Sequence, residues 1–149
     1  MTEQEIQELV AAATIARTAA YVPYSGFAVG AALRTADGHI FTGCNVENAS
    51  YGLAVCAERN AVFQAVARGK REILAVAVVT ENGVTPCGAC RQVLAEFNPQ
   101  MIVIVADTAG KRRGYTLPEL LPDAFGPEHL QSTGAVPVQS AGAVLVPRP

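Results

Sequence analysis

Two apolar runs with a helix between them limit the folds open to this chain of 149 residues more than any other feature. Leu74-Ala75-Val76-Ala77-Val78-Val79 and Met101-Ile102-Val103-Ile104-Val105 carry apolar side chains at successive positions. A strand of that kind needs cover on both faces, so both belong in the interior of a sheet. Between them the stretch from Cys87 to about Phe97, entered through Pro86, reads as a helix. Strand, helix and strand in this order form a parallel crossover. The expected architecture is therefore α/β, with helices on both faces of a mixed sheet.

The remaining segments fit around that unit. Thr2 with Glu5 three residues on is a capping box, and Ile6, Leu9, Val10 and Ala13 recur at helical spacing. The helix stops before the turn Val22-Pro23-Tyr24-Ser25-Gly26. Phe27, Val29, Ala31 and Leu33 alternate on one face of a strand, Asp37-Gly38 marks a hairpin, and a second strand runs through Phe41 to about Val46. The sheet thus begins antiparallel. A helix follows from about Cys56 to Ala67, closed by Gly69, with Ala61, Val62, Ala65 and Val66 as its buried stripe. Beyond Asp107 come a short strand near Tyr115, a short helix around Leu117 to Leu121, and a Gly/Pro/Val tail whose one charged residue is Arg148. No internal repeat or second domain is marked.

Composition weighs against several classes of partner. A net charge of -2, with Lys and Arg thinly scattered, offers no stripe for a phosphate backbone, so no nucleic-acid partner is expected. No apolar run reaches the roughly 18 residues that span a bilayer. The amino end carries Glu3, Glu5 and Glu8 where a signal peptide would be basic, and the expected location is cytoplasmic, with no membrane partner. In a reducing compartment, four cysteines that include Cys87-Gly88-Ala89-Cys90 point to metal or redox chemistry rather than disulfides.

Cys87 and Cys90, three apart at a helix start, direct both sulfurs from its first turn toward one point. Unpaired N–H groups and the positive dipole end favour thiolates there. Cys56-Ala57-Glu58 stands at another helix start. Positions two apart on a regular helix do not share a face, so Cys56 must lie at the irregular entry if it and Glu58 address one centre. Three thiolates leave a tetrahedral zinc one position for water, the mark of a catalytic site. Cys44 alternates away from Asn45 and Glu47 along its strand, and His39 and His129 lack ligand spacing; all three read as structural or surface residues. Asn45 and Glu47 share a strand face, an amide and a carboxylate suited to a sugar hydroxyl.

Cys56-Ala57-Glu58 with Pro86-Cys87-Gly88-Ala89-Cys90 matches the zinc-deaminase signature, with Cys where many members have His. Together with Pro23-Tyr24-Ser25-Gly26-Phe27-Ala28-Val29-Gly30-Ala31-Ala32, Gly43-Cys44-Asn45-Val46-Glu47-Asn48, Cys56-Ala57-Glu58-Arg59 and Leu120-Leu121-Pro122-Asp123-Ala124-Phe125-Gly126-Pro127, the chain resembles the small zinc-dependent cytidine deaminases over about residues 1–131. Residues 132–149 form a tail whose packing is left open. The resemblance implies a three-layer α/β/α domain with a central mixed five-stranded sheet. It implies hydrolytic deamination of cytidine and 2′-deoxycytidine in pyrimidine salvage, by a homotetramer whose sites are shared between subunits.

Carried over by position, Cys56, Cys87 and Cys90 bind zinc, and Glu58 shuttles protons from water to ring nitrogen 3 and to departing ammonia. Three thiolates around Zn2+ sum to -1, and the resemblance implies that Arg59 offsets this by hydrogen bonding to the sulfurs. Asn45 and Glu47 meet the ribose 3′-hydroxyl, Phe27 covers the base, and Phe125 covers the base of a neighbouring subunit. Tyr24 helps line the pocket and the Ala57 backbone meets the base. Asn60 stands where Thr is expected, and Ala54-Val55 replace a bulkier pair; both changes touch packing rather than chemistry. Three rivals remain: a blasticidin-type antibiotic deaminase, whose carboxyl region differs; a deaminase of nucleic acid, which needs a basic strand channel; and a non-catalytic zinc module, which needs a fourth protein ligand.

Overall fold

A computed structural model describes residues 1–130 of the chain; the tail from 132 onward lies outside the described residues. Five strands, β1 (Gly30–Thr35), β2 (Ile40–Cys44), β3 (Ile73–Thr80), β4 (Ile102–Asp107) and β5 (Arg112–Thr116), form one sheet in the order β2-β1-β3-β4-β5. β3 and β4 are parallel and every other pairing is antiparallel. Helix α1 (Glu3–Arg17) covers one face; α2 (Ala57–Ala67) and α3 (Gly88–Phe97) cover the other, and the short α4 (Leu117–Leu120) follows β5. The mixed five-stranded sheet between helical layers is the architecture expected above.

Alternation along the strands sorts the core into two layers. Ala32, Ala75, Ala77, Val79, Ile104 and Ala106 pack with Leu9 and Ala13 of α1, and the small residues let that single helix lie close. Ala31, Leu33, Val76, Val78, Val103 and Val105 pack with Ala57, Ala61, Val62 and Ala65 of α2 and Leu94 of α3. Leu94 is fully buried, and truncation of such a residue to Ala costs about 2–5 kcal/mol. The core therefore sets where α3, and the motif at its start, sits. Leu74 and Ile102 stay 44% and 36% exposed although their neighbours Ile73 and Met101 are buried; the two runs are two-sided only beyond them.

Four boundaries differ from the sequence reading. β1 begins at Gly30 rather than Phe27: over residues 27–29 a single backbone bond remains, from Asn45 N–H to the Val29 carbonyl at 3.2 Å, and the Asn45 side chain supplies the rest, its amide donating to the Phe27 carbonyl at 2.8 Å and its oxygen accepting from Val29 N–H at 2.8 Å. β2 ends at Cys44, and Val46 keeps only isolated bridges to Tyr21 and Val55. The two motif-bearing helices begin one residue late, since Cys56 and Cys87 are N-caps with extended backbone, at ψ 155 and 164.

Candidate active site

Both helices on the α2/α3 face start at the same end of the sheet, and their first turns meet. Cys56 caps α2, Cys87 caps α3 and Cys90 lies in the first turn of α3, with the three Sγ atoms within 4.8 Å of one another. The Sγ atoms of Cys56 and Cys87 are 3.9 Å apart. The extended conformation of Cys56 meets the condition set by its spacing from Glu58: the cap lies off the helix, so residues two apart can serve one cavity. A close approach secures α2 against β2. A Cβ at Gly43 would run into the backbone of Ala57 and Ala61, and the Asn60 amide donates to the Cys44 carbonyl at 2.8 Å. Asn60, the departure from the family pattern, thus ties the helix that carries Cys56 to the strand end that leads into Asn45.

The donor set fits a soft or borderline divalent cation such as zinc: three sulfurs at helix starts, where the positive dipole ends favour thiolate. The sulfurs share protons unequally. Cys56 is drawn down to about 5, first by its hydrogen bond with Cys90 and also by Arg59. Cys90 is pushed strongly up, chiefly by that same bond, because it acts as the proton donor, and by burial. One Arg59 Nη lies 3.5 Å from Cys56 Sγ and 3.5 Å from the Ala54 carbonyl. Its Nε is buried with no hydrogen-bond partner, so the guanidinium is tied to the site through Nη, at the Cys56 sulfur and the Ala54 carbonyl. Cys56 in turn raises the Arg59 pKa.

Glu58 is 4% exposed beside these groups. Burial raises its pKa most; its own backbone N–H opposes this, and charge on Cys56 adds to it. A carboxyl so placed exchanges protons more readily near neutrality than a surface acid does.

A cavity of about 330 Å³ runs from these groups to the loop before β1, within the range of small-molecule sites. Cys56, Cys87 and Glu58 line one end; Phe27, Asn45, Glu47 and Ser25 line the other. Glu47 is the hub of that second end. One of its oxygens accepts from the backbone N–H groups of Tyr24 and Ser25, at 2.9 and 3.2 Å, and the other accepts from the Ser25 hydroxyl. These bonds, the Ser25 hydroxyl first, lower its pKa and keep it ionised. Ser25 Oγ also accepts from Phe27 N–H at 3.0 Å, setting the backbone of the ring that borders the cavity.

The remaining sequence-derived candidates fall as follows. Tyr24 lines an adjoining hollow with Tyr51, joined to the main cavity at Ser25 and Glu47. Ala57 is fully buried at the first position of α2. Phe125 is 57% exposed, with its ring stacked on His129 at 5.4 Å, and it does not line the cavity of its own chain. Cys44 points away, donating to the Ala19 carbonyl at 3.3 Å. Three residues escaped the sequence reading. Ser25 and Thr85 line the cavity, and Arg91 donates to Thr85 Oγ1, the Pro86 carbonyl and the Leu120 carbonyl at 2.9, 2.7 and 2.6 Å. Ser25 was within reach, since a hydroxyl two residues before Phe27 in a Pro-Tyr-Ser-Gly turn suits a serine turn; Arg91 carries no local signal.

The sequence profile of the cytidine and deoxycytidylate deaminase zinc-binding region matches residues 3–106. The chain belongs to this deaminase family. It is 50% identical over 129 residues to the cytidine deaminase of Sporosarcina psychrophila, covering 85% of this chain and 95% of that one. The crystal structure of cytidine deaminase from Burkholderia pseudomallei superposes with a TM-score of 0.79 at 52% identity, over 84% of this chain and 100% of that one. The enzyme from Mycobacterium tuberculosis does so at 0.72 and 44%, over 85% and 99%. The fold of this chain is thus shared with these cytidine deaminases.

Proposed function

We propose that this deaminase converts cytidine and 2′-deoxycytidine to uridine and 2′-deoxyuridine with release of ammonia. The observation that carries this reading is the convergence of the Cys56, Cys87 and Cys90 sulfurs at one end of a cavity that the buried Glu58 also lines. Cys56, Cys87 and Cys90 would hold zinc, which when bound supplies Lewis acidity and draws the pKa of water toward neutrality. Glu58 accepts a proton from the attacking water and delivers it to ring nitrogen 3, which makes carbon 4 electrophilic. After the hydroxide adds at carbon 4, Glu58 takes the remaining proton from the new 4-hydroxyl and passes it to the amino group; the carbon–nitrogen bond breaks, ammonia leaves and the carbon 4 carbonyl forms.

Glu47 and Asn45 receive the ribose 3′-hydroxyl at the far end of the cavity, and Phe27 borders the base. A neighbouring copy completes the site with its own Phe125 in a homotetramer. The enzyme acts in the cytoplasm on free nucleosides in salvage. The described residues include no helix long and apolar enough to cross a membrane.

The test is loss of cytidine absorbance with purified protein, with and without a chelator, for the native chain and Glu58→Gln. The variant is expected to keep its zinc and lose at least about a hundredfold in turnover, the usual minimum for a missing acid/base. Near-normal turnover in zinc-loaded Glu58→Gln would overturn the mechanism.

A further inference from the structure

Helix α3 carries Cys90, Arg91 and Gln92 in succession, and each is committed to a different task. Cys90 turns to the sulfur cluster. Arg91 holds the carbonyl of Leu120, the last residue of α4, from which the segment to Phe125 departs. Gln92 holds the other end of that segment: its amide donates to the Phe125 carbonyl and its oxygen accepts from Phe125 N–H at 3.2 Å. One side chain thereby satisfies both backbone groups of Phe125, as a neighbouring strand would in a sheet. Phe125 takes no part in the buried core and is 57% exposed. One face of its ring rests on His129, whose Nδ1 is held by Gly126 N–H at 3.0 Å. The backbone is thus fixed from α3 and the ring is backed on one side, which leaves the other side free to cover a ligand.

We propose that Gln92 is a positioning residue for nucleoside binding: its carboxamide clasp on the Phe125 backbone sets the aromatic ring that covers the base. The inference rests on the reading of Phe125 given under Proposed function. It assigns to Gln92 a role in affinity and none in proton transfer. It also means that the helix bearing Cys90 carries, through the next two residues, the aromatic that this chain offers to a site.

The test uses Gln92→Met, which keeps side-chain length and removes both hydrogen bonds, and Gln92→Glu, which keeps acceptance from Phe125 N–H and loses donation to the carbonyl. Each is made in the native chain and in Phe125→Ala, with KM, kcat and zinc content measured for cytidine. Gln92→Met is expected to raise KM about fivefold, the worth of one aromatic stack, with kcat and zinc content unchanged. Gln92→Glu should fall between native and Gln92→Met. In Phe125→Ala, Gln92→Met should add nothing, because the ring it positions is gone. Gln92 variants with native KM would overturn the proposal and leave the role of Phe125 standing. So would an equal KM increase in both backgrounds, or loss of zinc in step with kcat, since Gln92 would then act elsewhere. A native KM in Phe125→Ala itself would instead remove Phe125 from base binding, and the clasp proposal with it.

Discussion

The two ends of the cavity are built by different means. At the sulfur end, Cys56 and Cys87 are the N-caps and Glu58 and Cys90 lie in the first turns of α2 and α3, and the core packing of those helices places them. Moving a sulfur there means moving a helix whose residues Ala61, Val62, Ala65 or Leu94 are buried. At the sugar end the backbone of residues 24–29 keeps one cross-strand bond, from Asn45 N–H to the Val29 carbonyl at 3.2 Å. Side chains supply further contacts to this loop from outside it and across it: Glu47 on Tyr24 and Ser25, Ser25 on Phe27, and Asn45 on Phe27 and Val29. The groups proposed to meet the ribose are the same ones that hold the loop. A lesion at the sulfur end should therefore remove chemistry and leave the fold, whereas a lesion at the sugar end should act on affinity through the shape of the loop.

The largest effect that sharpens this contrast is expected from Cys87→Ser. Cys87 is exposed and lies outside the core, so its loss should leave thermal stability of the metal-free protein near native while zinc content and activity fall to background. A folded variant that retains full zinc and turnover would remove Cys87 from the metal site.

The next effect concerns charge at the sulfurs. Arg59→Gln should lower activity about 10- to 100-fold, the range for a lost group that hydrogen-bonds a ligand. Changing one cysteine ligand to His in that background should restore part of it, because removing a thiolate brings the site nearer neutrality, as Arg59 did. If the second change only deepens the loss at full zinc occupancy, Arg59 does not act through charge.

The smallest effect belongs to the sugar end. Ser25→Ala removes the hydroxyl that links Glu47 to Phe27 N–H and should raise KM for cytidine about three- to tenfold, the worth of one net hydrogen bond of about 0.5–1.5 kcal/mol. Turnover at saturation should stay near native. A fall in kcat with unchanged KM would break the division between the two ends.

Much of the sulfur end was legible before folding. Spacing of three residues after a proline, and a Cys-x-Glu at a helix start, are local patterns, and a helix translates local spacing directly into direction. The requirement that Cys56 leave the helical path was also available, and its N-cap conformation meets it. The sugar end was half legible. Strand alternation put Asn45 and Glu47 on one side, yet Phe27 to Val29 also alternate and were read as strand, because the pattern does not reveal that the Asn45 amide supplies most of their pairing.

By itself the sequence determined the α/β class, the parallel crossover between β3 and β4, the cysteine set and the acid beside it, since each depends on neighbours a few residues apart or on an apolar run that demands cover. Tertiary structure alone decided that two helix starts separated by some thirty residues meet within one sulfur cluster. It also decided that Gly43 lets α2 descend onto β2, that Arg91 and Gln92 bind the segment ending at Phe125, and that Glu47 is held ionised by Ser25. Those contacts join residues distant along the chain, and their distances follow from how the layers pack, which no local periodicity encodes.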